Sequence, residues 1–321
     1  MPPSPKRVLF IAFDYHEYSR AIHAEFQEHG FESHFHSIQP GKLHFKLARR
    51  LSPRIYQMLL GRYHRRVILS YPRDSFEKVV FLQVHQFSHE NMVFLKSRQP
   101  RATFTLYNWD AITTHDYRPY LRYFDKVFTF DPVDAEQLGA GYLPLFCIRR
   151  FQGLKRDGID PLSAYFIGNI VNPRRYEAVM AFDAFCREHR ITFRQFLSTT
   201  IHGWTMMRKA GIRPFGVSLR SISDADFIAM IKNSAAVFDF ANHRQAGFTM
   251  RIMENLCAGK KIITNNANVR HAEFYSSDRF MIFDGLDFSG VEAFLKRPIH
   301  SPHEDFPAYH VQSFAKRLLD I

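Results

Sequence analysis

The stretch Ala235–Asn266, AAVFDFANHRQAGFTMRIMENLCAGKKIITNN, reads as strand, loop, helix and strand. AAVFDFA is a short apolar run of the kind buried in a parallel sheet. NHRQAG is a loop of polar and turn residues, and Gly247 is expected to open the helix FTMRIMENLCA. Gly259 stands where a left-handed glycine ends a helix, and KKIITN resumes a strand. Phe248, Ile252 and Leu256, at four-residue steps, form a core stripe. Gly247, Arg251 and Glu254 share another edge, within about 60° at about 100° per residue. A helix N-terminus at a strand's carboxyl end carries unpaired N–H groups and partial positive charge, which suits a phosphate. Arg251 adds a guanidinium able to bind phosphate oxygens in bidentate fashion. An ionised Glu254 accepts hydrogen bonds from two ribose hydroxyls. The same residues also suit a solvated Arg–Glu pair at the start of an ordinary α/β helix.

Working outward, the chain alternates strands and helices on both sides of this motif. KRVLFIAFD, FESHFHSI, KVVFLQV, ATFTLYNWD and KVFTFD read as strands of a first half, with helices over Glu17–His29, near Glu90–Arg98 and at Tyr117–Phe124. SAYFIGNI, TFRQFLS, the opening motif and RFMIFD supply the strands of a second half. Its helices follow Pro173 and Ser223, and a final one spans Phe306–Ile321. RRFQGLKRDGIDPLS reads as the linker. This alternation predicts an α/β protein of two doubly wound parallel sheets, with ligands beyond the carboxyl ends of the strands. The length of 321 residues suits two domains, here 1–150 and 151–305, with 306–321 as the closing helix.

Composition narrows the class. No stretch is long and apolar enough to span a membrane, and the chain enters a strand almost at once, without a signal-peptide core. Cys147, Cys186 and Cys257 lie scattered in apolar surroundings, which fits reduced thiols in the cytoplasm and no zinc site. Net charge is +12, and nine Lys or Arg residues fall between Lys42 and Arg73 with no Asp or Glu. Interleaved with Phe45, Leu47, Leu51, Ile55 and Leu59, they predict a basic amphipathic helix pair suited to an anionic membrane surface rather than to nucleic acid.

GFTMRIMENLCAGKKIITNN resembles the C-terminal nucleotide-sugar motif of GT-B glycosyltransferases, and is closest to bacterial enzymes of lipopolysaccharide and capsule synthesis. The resemblance extends over Ser163–Phe283 and Thr105–Phe146. It implies two Rossmann-like domains facing each other across a cleft, with a nucleotide-sugar donor held by the second. By the same likeness Glu254 binds the ribose, and Gly247, Phe248 and Thr249 lie at the phosphates. In SAYFIGNIVNPRRYEAV, Gly168 lets the backbone approach a ligand, and Arg175 or Arg174 can reach the β-phosphate unless both are solvated first-turn residues; the family's glycine–proline–arginine–tyrosine order favours Arg175. Retaining members often carry a second glutamate eight residues before Glu254; here that position is Ala246, which leans toward inversion.

For the acceptor side, Asp110 ends a probable central strand and suits a general base that takes a proton from a hydroxyl. It equally suits a helix cap before AITTHDY, with His115 and Asp116 as second candidates for the base. Asp14 and His16 end the first strand, where they can touch acceptor hydroxyls. Asp131, before Pro132, reads as an N-cap. Trp109 and Tyr107 offer a sugar-stacking face or core packing. Asn265, Asn266, Phe274 and Tyr275 belong to the matching stretch, either at the donor or in its turns. The expectation is thus a metal- and cofactor-independent transferase acting on a lipid-linked or lipopolysaccharide acceptor, peripheral to the inner face of the cell membrane. The alternatives are a nucleotide-sugar epimerase of the same architecture and a non-enzymatic basic module docking to membrane or nucleic acid.

Overall fold

The computed structural model describes residues 6–14, 17–154, 158–170, 172–241, 246–300 and 306–321. The chain divides into two compact units. The first runs to Ile148 and includes Ala246, Gly247 and Ala308–Ile321; the second holds Arg149 onward and Phe248–Pro307.

In the first unit the order is β1 (Lys6–Ala12), α1 (Tyr18–Glu28), β2 (Phe31–Ser37), α2 (Leu43–Leu51), α3 (Pro53–Ser70), β3 (Lys78–Leu82), α4 (His89–Arg98), β4 (Thr103–Asn108), β5 (Lys126–Thr129), α5 (Pro132–Leu138) and β6 (Gly141–Tyr142). All strands pair in parallel, in the spatial order β2-β1-β3-β4-β5-β6. The winding therefore reverses between β1 and β3, which is where a doubly wound sheet opens a crevice. Both strands are almost wholly buried, which explains their unbroken apolar sequences. Ser52 caps α3 through the Ile55 amide and Pro53 sits in its first turn, so the basic segment breaks into two helices. Phe45, Ala48, Tyr56 and Leu60 bury one face of the pair, while Leu43, Leu47, Leu51, Ile55 and Met58 face solvent.

The second unit follows the order β7 (Ser163–Asn169), α6 (Pro173–Glu188), β8 (Thr192–Ser198), α7 (Ile201–Lys209), β9 (Val217–Ser218), α8 (Asp224–Lys232), β10 (Ala236–Asp239), α9 (Met250–Cys257), β11 (Lys261–Thr264), β12 (Phe280–Ile282) and α10 (Val291–Lys296). Its parallel sheet runs β12-β11-β10-β7-β8-β9, the Rossmann order, with the switch between β7 and β10. An aromatic core covers one face, where Phe182 stacks on Phe238 at 4.3 Å. The last helix, α11 (Val311–Leu319), belongs to the first unit, packs against α1 and β3, and sets Phe314 edge-on to Tyr107 at 4.8 Å.

Three local readings are corrected. The donor-motif helix begins at Met250, not Gly247, because Thr249 caps it by accepting from the Ile252 amide. The expected helix at Tyr117–Phe124 is a 3-10 segment over Arg118–Tyr123, with Pro119 in its first turn. A helix not expected, α7, follows β8, with Thr200 as its cap.

Candidate functional site

Chemistry-bearing side chains gather at the switch point of each sheet. In the second unit the centre is Asp239, the last residue of β10 and fully buried. Its Oδ1 accepts from Thr249 Oγ1 at 3.0 Å and Arg251 Nη1 at 2.8 Å, and its Oδ2 from Thr264 Oγ1 at 2.9 Å. One carboxylate thus fixes the ends of β10 and β11 and the start of α9. Arg251 also donates through Nη2 to the Ile167 carbonyl at 2.8 Å and lies over the Phe166 ring at 4.8 Å. The sequence reading gave this guanidinium to a phosphate; here its terminal nitrogens hold Asp239 and β7.

Gly168 is required by close approach. A Cβ there would stand 2.8 Å from the Phe166 ring and 3.1 Å from Arg251 Nη2. Arg175, in the first turn of α6, reaches across the strand ends and donates to Asn169 O at 3.2 Å and Phe240 O at 3.4 Å. Burial, and then the neighbouring Arg251, lower its pKa, with Asp239 opposing them. Arg175 and Arg251 thus both lie in the field of Asp239 where β7 and β10 part. Glu254 is buried on α9, and its charge acts on the buried Tyr165 of β7, whose hydroxyl donates to Asn255 at 2.8 Å.

The remaining donor-motif residues serve local structure. Gly247 is in the first unit, where its amide and that of Ala246 donate to Asp131 Oδ2 at 3.3 and 3.0 Å. A Cβ on Gly247 would meet the Phe130 ring at 2.5 Å. The other oxygen of Asp131 caps α5 through the Val133 and Asp134 amides, as its sequence context predicts. Phe248 packs edge-on against Phe274 at 5.1 Å. Asn265 closes the turn after β10 by accepting from the Ala241 amide, and Asn266 caps the following 3-10 turn.

In the first unit, Asp110 lies just past β4. No helix begins there, so Asp110 caps no helix; residues 112–114 form a turn. The Asp110 carboxylate accepts a hydrogen bond from Gln83 Nε2. Gln83 follows β3 in the left-handed region at φ 67°, held by its amide donating to Tyr107 O at 2.8 Å. Burial raises the pKa of Asp110 above the ordinary carboxylate value, against the Gln83 bond and nearby His115, which pull it down. His115 stacks on His85 at 3.9 Å, and His85 on Phe13 at 5.2 Å. Burial, with His115 beside it, brings His85 to about 4, so its ring is neutral near pH 7.

This group draws on the ends of β1, β3 and β4, at the crevice the topology creates. Sequence reasoning singled out Asp110 and His115 and missed Gln83 and His85. Asp116 is exposed and paired with Arg118, and Asp14 is exposed beside Arg20 at 3.6 Å; His16 lies outside the described residues. Tyr107 is core, and Trp109 half-buried. A groove of about 610 Å³ in the second unit, lined by Arg194 and Gln195 of β8, Ser218 of β9 and Met230 of α8, is separate from the switch point.

No protein-family model matches the chain, and no curated sequence matches it. Its fold is shared widely with solved structures. An α-glucosyltransferase in complex with UDP and a 13-mer DNA superposes with TM-score 0.63 at 9% identity, covering 98% of this chain and 95% of that one. The lipopolysaccharide outer core galactosyltransferase WaaB superposes with TM-score 0.56 at 13% identity, covering 98% and 99%. A putative UDP-N-acetylglucosamine 2-epimerase from Listeria monocytogenes gives 0.53 at 11%, covering 98% and 95%. The chain has the GT-B fold of two Rossmann-like units.

Proposed function

We propose that the protein is a metal-independent, nucleotide-sugar-dependent glycosyltransferase. The observation that carries this reading is the pair of guanidiniums, Arg175 and Arg251, gathered beside Asp239 at the β7/β10 switch point. An anionic diphosphate placed there meets the two guanidiniums, which stabilise it as a leaving group during transfer. Arg175 is the direct partner; Arg251, tied to Asp239, sets the field and the position of α9. Glu254 is the ribose ligand. UDP in the α-glucosyltransferase complex makes a nucleoside diphosphate the first donor class to test.

In the first unit, Asp110 takes the acceptor proton. Its raised pKa makes it a stronger base than an exposed aspartate, and Gln83 fixes the oxygen that does not receive the proton. Ala246 in place of a second glutamate favours inversion. The acceptor is lipid-linked or part of a lipopolysaccharide, reached at the cytoplasmic face of an anionic membrane through α2 and α3, whose exposed leucines and seven cations suit such a surface better than nucleic acid. No helix among the described residues is long and apolar enough to cross a membrane.

A thermal-shift panel of UDP, GDP, CMP and dTDP sugars identifies the donor, since saturation at about 100 times Kd stabilises by about 2.7 kcal/mol. Glu254→Ala is expected to abolish both that shift and transfer; retention of both would sink the proposal. The epimerase likeness defines the competing outcome, donor turnover with no acceptor present.

A further inference from the structure

We infer that the second unit carries its own surface for an anionic lipid bilayer, distinct from the α2–α3 pair and independent of the reaction proposed above. Between Arg190 and Ser223 the chain holds six Lys or Arg residues and no Asp or Glu. The same segment presents large apolar side chains to solvent: Phe215 is 86% exposed, Ile201 74% and Leu219 63%, with Met206 and Trp204 partly so.

Register brings Ile201 and Leu219 to one edge. Ser198 pairs with Ser218, and the Thr199 amide donates to Ser218 O at 2.9 Å. Leu219 and Ile201 therefore leave the sheet side by side, at the carboxyl ends of β9 and β8. On α7, Gly203 and Met207 are buried, and Ile201, Trp204 and Arg208 lie on the outward side. Arg208 covers the Trp204 ring at 5.0 Å. Phe215 is not on a loose loop: its amide donates to Tyr176 Oη at 2.9 Å, so the backbone is pinned while the ring faces water.

Charge and shape select the partner. Arg208, Lys209, Arg213 and Arg220 are all exposed and complement anionic headgroups. Phosphates alone would leave Ile201, Phe215 and Leu219 in water; a bilayer interface takes the aliphatic groups and the cations together, and suits an indole beneath an arginine. Nucleic acid satisfies only the charges.

The chain has two tryptophans, so Trp109→Phe leaves Trp204 as a local reporter in the full-length protein. With vesicles of phosphatidylcholine and phosphatidylglycerol, its emission is expected to shift to the blue and to be quenched by brominated acyl chains, and raised salt to weaken the response. Adding Phe215→Asp and Leu219→Asp is expected to lower partitioning about tenfold while the melting transition remains. Leu43→Asp with Leu47→Asp leaves the Trp204 response in place. Cosedimentation with vesicles and an unchanged Trp204 spectrum would assign binding to α2–α3 alone and overturn the inference. A Trp204 response to DNA or RNA with none to vesicles would overturn it as well.

Discussion

Gln83→Met isolates one hydrogen bond at the proposed base. Methionine is close in volume and, like glutamine, carries a Cβ, so the strain of φ 67° is nearly the same in both proteins. What is lost is the donor that Gln83 offers to Asp110 Oδ2. Hydrogen bonds to a charged acceptor contribute about 1.5–3 kcal/mol, and about 1.4 kcal/mol is one pKa unit. Asp110 is only partly covered, so water replaces some of the loss, and the lower end applies: a rise of about one unit. The sign follows from charge. The bond stabilises the carboxylate, so its removal favours the acid form and raises a pKa that burial already holds high. Initial rates of transfer measured against pH are expected to show the acidic limb moved up by about one unit, about a tenfold loss below it, and an unchanged alkaline plateau. A uniform loss at every pH, with the limb in place, would refute Asp110 as the titrating base oriented by Gln83. Thermal melting of the variant separates that result from a folding defect.

Gly168→Ala places a methyl 2.8 Å from Phe166 and 3.1 Å from Arg251, and is expected to cost about 1–3 kcal/mol in urea unfolding and to weaken the UDP-induced melting shift. His36 and His64, hydrogen-bonded at 2.9 Å, are held by burial at about 3 and about 4, each with the ordinary value of 6.5 when unfolded. The unfolded chain therefore binds more protons between about pH 4 and 6.5, and stability falls as pH falls through that window. Each histidine accounts for about 2 kcal/mol lost between pH 7 and pH 5. Urea midpoints at those pH values should show this loss, and a double replacement by Phe and Leu should remove most of it.

Much of the fold was legible because parallel strands buried on both faces read as unbroken apolar runs. VLFIAF and AAVF are such runs, and Gly30 and Gly259 punctuate the helices beside them. The start of α9 is set by Thr249, three residues before Ile252, and not by Gly247, because a hydroxyl cap outweighs a glycine that only turns the chain. Asp239 carried a signal that went unused, a carboxylate closing a wholly apolar strand, which must find partners to be buried. Arg251, twelve residues on, is one of them. Gln83 and Asp110 are different: they stand 27 residues apart and meet only because Leu82 registers with Tyr107. Periodicity within a strand says nothing about which residue lies beside it in the next. The outward face of α7 went unseen because the helix itself did.

The placement of α11 has a consequence for how the chain matures. It packs on α1 and β3 and lays Phe314 against Tyr107 and Phe146, yet it is translated after the whole of the second unit. The first unit is begun first and completed last. While the ribosome makes residues 149–307, the apolar surface awaiting Val311, Phe314, Leu318 and Leu319 stays uncovered. A nascent chain arrested in that interval should therefore present a chaperone with a defined binding face, and release of the chain should withdraw it.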